Sequence, residues 1–236
     1  MTNRPNERVL RAFSLSSELT TATELLALGL NQAANAKWVA RQPGGVFTQL
    51  SQGVERVLKV TFWLHEQSKG REVDPKFGSG SSGHALRELN AKVFDIFVFE
   101  SQLKTPYIAG LVEEVVVDPY WPDLLLALDR WAATSGRYRD LDALRGKDLQ
   151  GDPPWASWEE AEHRAVTAAD GWANPTDETF AASRMRMLLS IMQWWHTLYR
   201  GWQHGLVGED GIMFSSALDP KNIHLDDAVF KLIAGR

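Results

Sequence analysis

Near the end of the chain His196, Arg200 and His204 follow one another at every fourth position. On a helix, residues four apart are surface neighbours, so the three side chains would form one stripe, with Gln193 at its upstream end. A neutral imidazole can take a proton from a hydroxyl or return one to a leaving oxygen. A guanidinium can hold a phosphate in a fork and stabilise the extra charge of its transition state. A close cation is also expected to lower a histidine pKa and keep the ring basic near neutrality. This is the equipment of phosphodiester chemistry: His204 as general base and acid, Arg200 as phosphate clamp, His196 in support and Gln193 as a substrate contact. The same stripe has a plainer account. Surface helices have a polar side, and a histidine followed by Gly205 suits a helix C-terminus, where a cation is favourable and glycine supplies the left-handed cap.

Other chemistries find less support. His196 and His204 would lie two turns apart, about 12 Å along the axis, too far to share one metal ion. The chain has no cysteine, which removes thiolate metal sites, disulfides and a cysteine nucleophile. It contains no HExxH, no GxSxG, no GxxxxGK[ST] and no GxGxxG behind a strand. No metal and no cofactor are expected.

The elements that must position the stripe are helical. Met187, Ile191, Trp195, Leu198 and Trp202 fall on one side of a segment that should run to about His204, opposite the polar stripe. Its start is signalled by "ANPTDETF", with Asn174 as cap, Pro175 in the first turn, and Asp177 and Glu178 at the positive end of the dipole. Upstream, residues 22–41 read as a helix stopped by "QPGG", Gln42 being pushed out of helical geometry by Pro43. Phe47, Leu50, Val54, Val57, Leu58 and Phe62 mark a second helix, antiparallel to the first across that short connection. A glycine–serine stretch at residues 68–83 reads as a loop, and a third helix is expected from His84 to Ser101. Residues 107–117 are ambiguous between a short helix and a buried connection. Further helices are expected from about Pro122 to near Gly136 and, capped by Ser157, from Trp158 to Ala169, with a loop over 145–157 between them. A short tail containing "NIHLDD" closes the chain, extended in part.

The expected architecture is all-α, a single bundle of about five to six helices with long loops. Residues 1–21 form a polar lead-in, and residues 22–236 the domain. At 236 residues the chain can bury a sizeable core, and 44% hydrophobic with 23% charged residues is ordinary for a globular protein. Ten scattered tryptophans suit helix packing. A net charge of −5 argues against broad, non-specific DNA binding. The N-terminus lacks the apolar region of a signal peptide and no apolar run reaches membrane-spanning length, so a cytoplasmic protein without a membrane partner is expected.

Several short motifs carry a resemblance. "GVERVLKVTFWL" with Glu55 and Lys59, then a variable loop, then "GHALRELNAKV" with Gly83, His84, Leu86 and Leu89, then "SGRYRDLDAL" with Arg137 and Arg139, together resemble the HEPN superfamily of helical-bundle proteins. The resemblance covers about residues 22–145 and the late "RGWQHG" helix. It implies a bundle that pairs as a homodimer. It also implies, in many members, metal-independent RNA cleavage by an arginine and a histidine in toxin or antiphage systems. Arg137 and Arg139 then join Gln193 as expected substrate-binding residues. Other members lack the motif and act as interaction modules, including partners of nucleotidyltransferases. The expected partners are therefore RNA and an antitoxin-like protein, and the alternative function is a non-catalytic helical interaction module. The chain departs from the catalytic pattern in two respects: three residues rather than four to six separate Arg200 from His204, and Gly201 stands where a polar residue is common.

Overall fold

The apolar stripes of the sequence become buried helix faces in the computed structural model, which describes residues 5–41, 43–74, 85–133, 137–149, 151–170 and 176–222. The chain is all-helical, and the described residues contain no strand and nine α-helices. These are α1 (Pro5–Asn35), α2 (Pro43–Ser68), α3 (Leu86–Lys104), α4 (Tyr107–Val116), α5 (Trp121–Ala132), α6 (Arg139–Leu144), α7 (Ala156–Asp170), α8 (Asp177–Gln203) and α9 (Glu209–Phe214). Three 3-10 turns lie at Val39–Arg41, Ser215–Leu218 and Pro220–Asn222. The helix count exceeds the expected five to six because the short α4, α6 and α9 are helices in their own right. Gln42, Gly83, His84, Asn174, Pro175, most of the glycine–serine stretch and "NIHLDD" beyond Asn222 lie outside the described residues.

The largest departure from expectation is at the N-terminus. Residues 5–21 are not a lead-in outside the domain. They are the first half of α1, and Leu15 and Leu19 enter the core from them, four residues apart, with Ala22 continuing the same face three residues on. The end of α1 is tied down by Arg11, which pairs with Asp210 at 3.0 Å and lies 4.4 Å over the Trp63 ring. α2 returns antiparallel along α1, as the Arg56–Glu18 pair at 2.5 Å and the Arg11–Gln67 bond show.

Three helices then share a direction. Trp194 of α8 donates to Asn90 of α3 at 2.7 Å, and farther along the same pair of helices Phe97 packs on Gly201. Trp202 of α8 donates to Thr61 of α2 at 3.0 Å. The carboxyl ends of α2, α3 and α8 therefore meet at one end of the bundle. α4 runs back against α8, with Tyr107 beside Arg200 and Glu114 beside Gln193. Between these layers the core is unusually aromatic: Trp121 stacks on Trp194 with centroids 4.9 Å apart, and Phe47 meets both Trp131 and Trp158.

Two local features fix α8. Its N-cap is Thr176, whose hydroxyl accepts the Thr179 N–H while Thr179 reaches back to the cap residue. Its far end stops as expected: His204 is the C-cap residue, and Gly205 has φ 72°, which a side chain would strain. An acid without a cation in hydrogen-bond contact among the described residues is buried between α7 and the Val39–Arg41 turn. Glu162 of α7 is 4% exposed and accepts the Val39 N–H at 2.8 Å and the Trp158 indole at 3.2 Å. Burial pushes its pKa up to about 7.

Candidate active site

At the carboxyl end of α8 the polar stripe meets α4. Arg200 Nε donates to the Tyr107 hydroxyl at 2.6 Å, and that hydroxyl lies 2.8 Å from His204 Nε2. The two rings meet edge to face with centroids 5.3 Å apart, and the Arg200 guanidinium sits 5.5 Å from the centroid of the Tyr107 ring. Arginine has no acceptor, so the tyrosine oxygen accepts from Arg200 and is left with its own hydrogen to donate. His204 Nε2 is then the acceptor, which places the ring hydrogen of the neutral imidazole on Nδ1. Burial, with the Arg200 charge adding to it, holds the His204 pKa below the ordinary histidine value, so the ring is neutral and basic at pH 7.

Arg200 keeps capacity for a ligand. Its Nε is on Tyr107 and Nη1 donates to Gln203 at 2.5 Å, so among the described residues two of the five guanidinium N–H groups are engaged and three remain. The bond to Gln203 and the bond to Tyr107 hold the planar group in one orientation. The surface is open here: Tyr107 is 43% exposed, and Arg200 and His204 are half-buried.

His196 lies one turn upstream of Arg200 and is exposed, in ring contact with Tyr199 at 6.1 Å. Its pKa is also lowered, first by the partial loss of solvent around it and then by Arg200, against an opposing pull from Asp219. Gln193 is a further turn away and donates to Glu114 at 2.9 Å, so it braces α8 on α4 rather than facing the Arg200–His204 pair.

Arg137 and Arg139 are not brought to this site. Arg137 donates to the Ala132 carbonyl at 3.0 Å, closing the end of α5, and Arg139 donates to the Gly151 carbonyl at 2.9 Å. Trp131, next to Ala132, bonds Thr48 near the start of α2, whereas Trp202 bonds Thr61. Those threonines are separated by about 20 Å of helix at 1.5 Å per residue, so the two arginines sit towards the other end of the bundle. Both spend donors on main-chain carbonyls that helix ends and loops leave open.

Sequence reasoning missed Tyr107, which no local pattern connects to a residue 93 positions away. Gly201 has a packing reason. A side-chain carbon there would be driven into the Phe97 ring, so the polar residue common at this position in the HEPN pattern has no room. Among the described residues no group of three or more His, Asp or Glu side chains is arranged to hold a metal ion, and no helix is long and apolar enough to cross a membrane.

No family model matches this chain, and no curated protein or solved structure matches it.

Proposed function

We propose that this chain is a divergent HEPN-like protein that cleaves RNA without a metal, using Tyr107, Arg200 and His204. One observation carries the reading: a single hydroxyl is hydrogen-bonded both to an arginine and to a neutral histidine on an accessible surface. That arrangement is a proton relay beside a phosphate clamp.

In the proposed reaction the three remaining Arg200 donors hold the non-bridging oxygens of a phosphodiester. The Tyr107 hydroxyl passes its hydrogen to His204 Nε2 as it takes the proton of the ribose 2′-hydroxyl. The 2′-oxygen forms a bond to phosphorus and the bond to the 5′-oxygen breaks, which leaves a 2′,3′-cyclic phosphate. The departing 5′-oxygen takes a proton back along the same relay, restoring neutral His204. His196 supports the site by adding a second hydrogen-bonding ring one turn along the strand path. We place the active form in a homodimer, as the HEPN resemblance implies, with RNA and an antitoxin-like protein as its partners.

A second reading, a non-catalytic interaction module, is favoured by one feature. Val9, Leu10 and Phe13 lie within five residues of α1 and are 53%, 65% and 70% exposed, which is unusual for three large apolar residues together. Incubating RNA with purified wild type, His204→Ala and Arg200→Ala in the presence of a chelator separates the two readings. The nuclease reading expects cyclic-phosphate ends from wild type alone. No cleavage of any RNA by wild type would favour the interaction module.

A further inference from the structure

A second cluster of charged groups at the same end of the bundle takes no part in the relay. His65 of α2 is 5% exposed and has Nδ1 3.1 Å from Glu66 Oε1 and Nε2 3.3 Å from Glu100 Oε1. Glu100 of α3 is 2% exposed and also takes Lys69 at 2.5 Å. Arg71 grips Glu66 in a fork at 2.7 and 2.5 Å, which holds the Glu66 carboxyl below its ordinary pKa. Of these groups His65, Lys69, Arg71 and Glu100 line a cavity of about 500 Å³ whose remaining walls are Asp95, Ile96 and Phe99.

Glu100 holds its carboxylate out of water, which is expensive, and a buried ion pair stabilises a fold less than apolar residues of the same volume would. Such a pair beside an open cavity marks a binding site better than it explains stability. The cavity is also separate from the relay. Phe97 faces α8, while Ile96 and Phe99 lie roughly 100° and 160° round α3 from it in the same sense, on the flank towards α2.

The lining has two chemically distinct ends. Lys69 gives one of its three N–H groups to Glu100, and Arg71 keeps its outer guanidinium hydrogens beyond the fork, so both have donors left for an anion. Phe99 is 63% exposed, an unusual position for a phenyl ring, and offers a bare aromatic face. Asp95 lies one helical turn before it on α3 and is exposed. A carboxylate there repels phosphate but accepts from the amino group of a base. We propose that this cavity is a nucleotide subsite: the base stacks on Phe99 with its amino group on Asp95, and the phosphate lies on Lys69 and Arg71. The ligand is a nucleoside monophosphate, taken either free or as one unit of a single strand. Only the strand source rests on the RNA-cleaving reading.

The test is equilibrium binding to the His204→Ala protein, so that binding is read whether or not the wild type cleaves RNA. The probes are AMP, CMP, GMP and UMP, and a short fluorescein-labelled single-stranded RNA. Saturable binding of a mononucleotide supports the free source, and binding of the oligonucleotide alone supports the strand source. Phe99→Ala, at an exposed position that leaves folding intact, should weaken either by about tenfold. Arg71→Gln should weaken it too and flatten its salt dependence. Asp95→Ala should remove the preference for bases bearing an amino group over uracil. Binding of neither probe, or binding unchanged in Phe99→Ala and Arg71→Gln, would overturn the proposal.

Discussion

Glu162→Gln should remove a pH dependence of stability that the wild type carries between about pH 4.5 and 7. In the folded protein the carboxyl is buried and its pKa is pushed up to about 7, against an ordinary value of 4.5. The folded state therefore holds the proton more tightly than the unfolded chain does. The stability this contributes is complete below pH 4.5 and is lost as pH rises through 7. At 1.36 kcal/mol per unit, a difference of roughly 2.5 units corresponds to at most about 3 kcal/mol. The loss is capped because an ionised Glu162 draws on Arg184, whose own pKa burial depresses and Glu162 raises. Glutamine keeps the acceptor for the Val39 N–H and the Trp158 indole and cannot ionise. Urea unfolding of both proteins at half-unit steps from pH 4.5 to 8 reads the effect as a difference, in which all other titrations cancel. The variant should match wild type at pH 4.5 and exceed it above pH 7 by up to about 3 kcal/mol, roughly 6–12 °C in melting temperature for a domain of this size. Stability curves that run parallel over the whole range would refute the reasoning.

Three further outcomes are expected. In a proton NMR titration His204 should lose its proton below pH 6.5, and Arg200→Gln should move that midpoint upward because a cation has been removed; a midpoint indifferent to Arg200 would separate the two residues. Gly201→Ala should destabilise by about 1–3 kcal/mol in thermal or denaturant unfolding, since the added carbon meets the Phe97 ring in a packed core; an unchanged midpoint would mean that α3 and α8 can part cheaply. The double substitution of Arg137 and Arg139 by alanine should leave RNA cleavage rates within about twofold of wild type, because both arginines cap main-chain carbonyls far from Tyr107; a loss like that of Arg200→Ala would return them to the substrate path.

Much of the bundle was legible because apolar periodicity survives in the helices that bury a full stripe. Met187, Ile191, Trp195, Leu198 and Trp202 are all buried, as are Phe47, Leu50, Val54, Val57 and Leu58. The start of α1 was not legible for a physical reason. Its buried Leu15 and Leu19 sit among serines and threonines, whose local preference is against helix, and packing on α2 overrides that preference. The Arg200–His204 pair could be read from one segment, but its third member could not. Tyr107 arrives through the reversal between α3 and α4, which only the assembled fold specifies. The charged cluster hid for the same reason: nothing near His65 announces Glu100, 35 residues on. Arg137 and Arg139 lie apart from the Arg200–His204 pair for a reason the motif does not display: a cation serves helix ends as readily as ligands.

The single-turnover rate of Tyr107→Phe on RNA, measured beside wild type with chelator present, tests the central claim most directly. The substitution deletes one oxygen from a partly exposed ring and so leaves folding almost untouched, while cutting the path from substrate to His204. The relay predicts that wild type produces 2′,3′-cyclic phosphate ends and that the variant does so about 10²–10⁴-fold more slowly at an unchanged melting temperature. Equal rates for the two proteins would contradict it.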